Sequence, residues 1–232
     1  MGQVYNVNSV TADTFAHLQI GAWAFFVDFD YEGIDTADGF AAAVQAALTA
    51  GGALGGTSGN IDIEIMPEMH DLSESINDVF VPFVGAEVLR RWTCQMSATL
   101  KEFKKSTLEV VFPTAVFDEL APGITEIKLG SNLQQGHYRK NITWIARINQ
   151  VGYIMVAMRN ALGRTTGAIT VNPDDSSNIP FQAVGHAKDL EDIEFAPADI
   201  WIVDVRAGGA EGLTQVKAAA KSESKGLPVA GK

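Results

Sequence analysis

The stretch Asn60-Ile61-Asp62-Ile63-Glu64-Ile65-Met66 decides the fold. Three isoleucines alternate with two acids, and successive side chains of a β-strand point to opposite faces. One face of this strand therefore belongs to an apolar core. The other, carrying Asp62 and Glu64, meets water or a lumen. A helix would scatter the same residues around its circumference.

The same alternation recurs outward in both directions. Upstream, Gly21–Asp30 reads as a strand that aligns Trp23, Phe25, Val27 and Phe29. Asp35–Ala50 predicts a helix, with Asp35 or Thr36 as N-cap and Phe40, Val44, Ala47 and Leu48 at helical spacing. The glycine-rich run Gly51–Gly56 ends it. Downstream, Pro67–Asp78 is acidic, polar and loop-like, and Val79–Val84 is a short edge piece interrupted by Pro82. Glu87–Glu102 is the longest strand candidate. Phe103–Leu120 predicts one short helix, because Pro113 and the β-branched residues oppose a longer one. Further strands are expected at Ile124–Leu129, Asn141–Asn149, Gly152–Asn160, Ala168–Val171, Ile179–Lys188 and Asp199–Val205. Asn149-Gln150-Val151-Gly152 reads as a hairpin turn, and Asn172–Asn178 as a loop.

These elements predict a mainly β fold: a β-sandwich with one flanking or inserted α-helix, a long loop and extended terminal arms. The expected organisation is an N-terminal arm (1–20), one domain (21–206) with a helical insert at 36–50 and a loop at 67–78, and a flexible C-terminal arm (207–232).

The charge is uneven. Of 232 residues with a net charge of −11, Met1–Leu89 contains thirteen acids and no Lys or Arg, so that part carries −13 and the remainder +2. A basic footprint for a nucleic-acid backbone is absent. With a single cysteine, Cys94, no intrachain disulfide can form, and its place in a β-like run predicts a buried small hydrophobe. The N-terminus places no basic residue before an apolar core, so no secretory leader is expected, and no apolar run is long enough to cross a bilayer. Cytoplasmic synthesis follows.

Catalytic signatures are not found. His17, His70, His137 and His186 are scattered, and HExxH, GxSxG, GxxxxGK[ST] and GxGxxG do not occur. No enzyme, cofactor or metal is predicted. Asp28-Phe29-Asp30-Tyr31-Glu32-Gly33 resembles the start of a calcium loop, but the twelfth position, where a glutamate should close it, is Gly39. Asn141-Ile142-Thr143 matches a glycosylation sequon on a strand. Arg90 and Arg91, the first basic residues of the chain, should point to opposite faces of their strand, as solvated edge charges or as partners for the acidic part of a neighbouring copy.

Several segments together resemble the major tail tube proteins of long-tailed bacteriophages. They are Leu54-Gly55-Gly56-Thr57-Ser58-Gly59 leading into the Ile-Asp-Ile-Glu-Ile strand, the acidic loop, Trp92–Glu102 with its Ala98-Thr99-Leu100 run before Glu102, and Pro180-Phe181-Gln182-Ala183 near the end. The likeness spans about residues 50–205 and is one of pattern. It implies a structural subunit that closes into hexameric rings and stacks into a hollow tube, located in the virion tail. The implied partners are copies of itself, a tape measure protein, and tail terminator or distal tail proteins. DNA would pass through a negative lumen without specific binding, and no membrane is involved. Asp62 and Glu64 match the strand that would line the lumen. Arg90, Arg91, Glu68, Asp71 and Glu74 become candidates for contacts between subunits. The inserted helix departs from the family pattern, and could extend the stacking loop or sit outside the tube. The alternatives are another β-rich virion or secretion-tube component, or a carbohydrate-binding module using Trp23, Trp92, Trp144 or Trp201.

Overall fold

The computed structural model describes residues 18–32, 34, 36–75, 84–149, 151–171, 177–189, 195–204 and 213–216. Within them the order is β1 (Gln19–Val27), α1 (Ala37–Thr49), β2 (Thr57–Asp71), β3 (Glu87–Leu100), α2 (Lys105–Val111), β4 (Ala115–Ala121), β5 (Ile124–Leu129), β6 (Arg139–Ile148), β7 (Gly152–Thr165), β8 (Ile179–Val184), β9 (Ala198–Asp204) and β10 (Leu213–Val216). The chain is mainly β, and all its strand pairs are antiparallel among the described residues.

β7 belongs to two sheets. Its first part pairs with β6 on one edge and β9 on the other, while Leu162–Thr165 pairs with β8. The change of partner falls just after Asn160, whose φ of 45° is a left-handed conformation that asparagine tolerates better than most residues. The first sheet runs β1-β6-β7-β9-β10 and the second β2-β3-β8-β7.

The first sheet is covered on both faces. On one lies α1, started by Thr36, whose Oγ1 accepts the Gly39 N–H at 3.0 Å. Its Phe40 packs with Phe26, Phe29, Met155 and Trp201. The opposite face meets the second sheet: Phe25, Trp144 and Met158 share one cluster with Met96, Leu100 and Phe181. Phe25 meets Phe181 edge-on, with ring centroids 5.9 Å apart. Double cover explains why Asn141–Ala146 of β6 is buried without alternation.

That burial includes Asn141 and Thr143, whose side chains are hydrogen-bonded locally, while the Trp144 indole N–H has no partner among the described residues. Asn141 Nδ2 donates to the Phe29 carbonyl, and its Oδ1 accepts from Phe29 N–H and Thr143 Oγ1, all at 2.9 Å. The sequon asparagine is thus a clamp between β6 and the chain leaving β1, fully buried along with Thr143.

The second sheet is covered on one face. Ile61, Ile63 and Ile65 pack against the core that contains Cys94, Met96 and Ala98, as their alternation predicts. Short α2 lies under the end of β7, where Gly163 leaves room for the Val110 carbonyl that any Cβ would strike. Thr107 on α2 donates its Oγ1–H to the Leu54 carbonyl at 3.0 Å.

The structure corrects several expectations. β2 does not end at Met66 but continues through Pro67 to Asp71, so the first part of the expected loop 67–78 is strand. An edge strand tolerates proline, because the missing N–H can lie on the unpaired side. Phe29 leaves the face of Phe25 and joins the cluster under α1, since β1 stops at Val27 and Asp28 turns the chain with φ of 53°. Phe103–Leu120 holds the beginning of a strand, β4, besides its helix. β7 extends five residues beyond Asn160. Ala168–Val171 is reduced to a single bridge, Thr170 to Asn178. Leu213–Val216, inside the stretch read as a flexible arm, pairs with β9. Of the expected arm 1–20, Gln19 and Ile20 already belong to β1, while residues 1–17, 79–83 of the expected edge piece 79–84 and most of 205–232 lie outside the described residues.

Candidate functional site

The outer face of the second sheet is polar because alternation along its strands sends the other half of their residues outward. Direct register across the strands sets Asp62 of β2 opposite Ser97, Ser97 opposite Gln182, and Gln182 opposite Arg164 of β7. The next row sets Glu64 opposite Gln95, Gln95 opposite Val184 and Val184 opposite Leu162, so it is polar on β2 and β3 and apolar on β8 and β7.

Side-chain hydrogen bonds cross these rows diagonally. Arg164 Nε donates to Gln182 Oε1 at 2.7 Å, Gln182 Nε2 donates to Gln95 Oε1 at 2.9 Å, and Gln95 Nε2 donates to the Glu64 carboxylate. The charged ends fix the direction of both amides: a guanidinium can only donate and a carboxylate can only accept. Asp62 is exposed, Glu64 half-buried. The two acids named as lumen candidates thus share one face, with Glu64 tied into a chain across four strands and Asp62 open to solvent.

Gln95, Gln182 and Arg164 were not singled out in the sequence. Alternation in Ile179–Val184 already puts Gln182 opposite to Phe181, but Arg164 lies past Asn160, the expected end of β7.

Beyond Gln95, β8 no longer accompanies β3, so Met66–Asp71 and Glu87–Thr93 continue as a two-stranded ribbon. Its apolar side chains Met66, Met69, Val88 and Leu89 are exposed. Here a bulge opposes Glu68 and Met69 to Arg91 and Leu89, leaving Arg90 as the extra residue. The bulge cancels the expected alternation. Both arginines reach one carboxylate, Arg90 Nη1 at 3.1 Å from Glu68 Oε1 and Arg91 Nε bonded to Glu68 Oε2. The interface candidates Arg90, Arg91 and Glu68 therefore form an exposed trio within one chain.

Asp71 accepts from Ser73 N–H at 2.8 Å and Ser73 Oγ at 2.6 Å, and these bonds hold its carboxyl below the usual range. Glu74 sits in the 3-10 turn Leu72–Ser75, and its side chain lies outside the described residues.

A second ribbon, β4–β5, pairs with no further strand among the described residues. Val116, Leu120, Ile124 and Leu129 on it are more than half exposed. Isolated two-stranded ribbons are marginal in water, and apolar exposure of this extent makes the ribbon a candidate contact surface.

Two motifs of the resemblance meet at the start of β2. Gly56 N–H donates to Glu102 Oε1 at 2.7 Å, and Lys101 N–H donates to the Gly56 carbonyl at 2.8 Å. Gly55, with φ of 92°, lies against the same carboxylate, where a Cβ would collide with it. Lys104 and the Gly56 amide together lower the Glu102 pKa.

The remaining sequence candidates have structural surroundings. Burial pushes the Cys94 thiol up to about 11, with Arg159 opposing the shift. Trp144 and Trp201 are buried, and Trp92 is half-buried against the core. In the acidic turn after β1, Asp28 Oδ1 accepts the Lys140 N–H at 2.7 Å, and Lys140 Nζ lies 3.9 Å from Asp30 and 3.5 Å from Glu32. Among the described residues no cluster of three His, Cys, Asp or Glu is placed to hold a metal ion, and no helix is long and apolar enough to cross a membrane. No protein-family model matches the chain, and none of the curated proteins is significantly similar to it.

Proposed function

We propose that this chain is a self-assembling structural subunit, a tail tube protein that forms stacked hexameric rings and conducts DNA through a negative lumen during ejection. The observation that carries this reading is the second sheet. Four strands are backed by core on one side, present a polar face on the other, and have outer edges that no further strand of this chain covers among the described residues. Such a sheet suits the inner wall of a tube, as one part of a β-sandwich flanked outside by α1.

The two ribbons with exposed apolar side chains fit contacts between stacked rings. The polar face suits DNA passage physically. A phosphate polyanion slides past carboxylates and amides without the counterion-releasing contacts that a lysine-lined wall would make. Further partners would be a tape measure protein inside the tube and terminator or distal tail proteins at its ends. Trp144 and Trp201 are buried, so they offer no stacking platform to a sugar.

Negative-stain electron microscopy of the purified chain, over a range of concentration and salt, tests the reading. Hollow tubes with a regular ring repeat are expected. Solid fibrils, or closed shells without a lumen, would refute it.

A further inference from the structure

The row Asp62, Ser97, Gln182, Arg164 crosses all four strands of the open sheet and is charged only at its ends. Asp62 is exposed and has no hydrogen-bond or ion-pair partner among the described residues. Arg164 is also exposed. It gives its Nε–H to Gln182, and its terminal guanidinium N–H groups face no carboxylate among the described residues.

Both ends of the row lie beside an open strand edge. Among the described residues β2 pairs only with β3, and β6 parts from β7 at Ala161, so Leu162–Thr165 pairs only with β8. The four strands alternate in direction. A second copy's β2 laid against that edge of β7 would therefore pair antiparallel, as every pair in the sheet already does. Neighbouring strands are about 4.8 Å apart, so the register that continues the row puts an Asp62 carboxylate within reach of the Arg164 side chain on the same face.

The charges also select among pairings. Two copies joining through like edges would set Asp62 beside Asp62, or Arg164 beside Arg164, and like charges across an interface are unfavourable. Only the unlike edges match, and joining unlike edges is the heterologous contact from which rings close. Glu64 is the weaker candidate, because Gln95 already occupies it.

From this we propose that Arg164 of one copy pairs with Asp62 of the next and fixes the head-to-tail order of subunits around a ring. The inference rests on the ring-forming reading above and adds to it the residues that set the order. An exposed pair of this kind supplies order and specificity more than affinity.

The test uses two reversed variants of the full chain, Arg164→Glu and Asp62→Arg. Each alone sets like charges at every junction, and the concentration needed for assembly should rise about a hundredfold over the unaltered chain. Mixed in equal amounts, the two should assemble again, because copies that alternate around the ring meet a matched pair at every junction. Misfolding cannot produce that rescue. Arg164→Glu assembling as readily as the unaltered chain, or a mixture as inert as its components, overturns the contact while leaving the ring reading in place. An unaltered chain that stays monomeric throughout overturns the ring reading and the contact with it.

Discussion

The two sheets differ in how far one chain completes them. The first is buried under α1 on one side and the second sheet on the other, with Asn141 clamping Thr143 and the chain that leaves β1. The second is finished on its core side alone. Its outer face carries Asp62 open to solvent, its outer edges meet no further strand among the described residues, and its β2–β3 ribbon carries exposed apolar side chains. Charge follows the same division. The acids of the turn after β1 are matched within the chain by Lys140, and Glu68 by two arginines, whereas Asp62 has no match among the described residues. The first sheet is finished by this chain itself, and the second is left open on its outer face and outer edges among the described residues.

Substitutions can break or sharpen this contrast. The largest loss of stability should come where the sheets meet: Phe181→Ala removes a fully buried ring packed on Phe25 and should cost about 4 kcal/mol in denaturant unfolding. Asn141→Ala strands the Phe29 amide and carbonyl and the Thr143 hydroxyl, and should cost about 3 kcal/mol by the same measurement. Gly163→Ala pushes α2 off β7, with an expected loss of about 2 kcal/mol. On the open face the effects on folding should nearly vanish: Asp62→Asn should move stability by less than about 0.5 kcal/mol. A loss from Asp62→Asn as large as that from Asn141→Ala would erase the distinction between the sheets.

Cys94 gives a contrast in pH. Its folded thiol is raised to about 11 from an ordinary 9.0 by burial. The unfolded chain therefore loses this proton first as pH rises. The contribution is constant below pH 9, and stability falls between there and about pH 11. Labelling by a thiol reagent at pH 8 should follow global unfolding, and fast labelling of the native chain would show that β3 is open where it is described as buried.

Much of the second sheet was legible because its signals are local. Ile61, Ile63 and Ile65 declare their face through period two, and outside that sheet Ile124–Leu129 declares a ribbon strand with the same bounds the structure has. What escaped depended on partners distant in sequence. Pro67 reads as a break unless β2 is known to be an edge. Arg164 reads as loop until β8 is placed beside Leu162–Thr165. β4 was hidden because Phe117 gains its strand neighbour only from Ile127. Arg90 and Arg91 were assigned opposite faces, and only the bulge at Glu68 brings them together. The chain across Arg164, Gln182, Gln95 and Glu64 is legible only after registers are fixed, since its members come from four strands.

The central claim is that the open sheet is completed by copies of the same chain around a lumen. Cryo-electron microscopy averages of assembled particles viewed end-on test it most directly. The account predicts six-fold rings with a central channel walled by β2, β3, β8 and the end of β7. Rings whose channel is walled by α1, with the Asp62–Arg164 face turned outward, would contradict it.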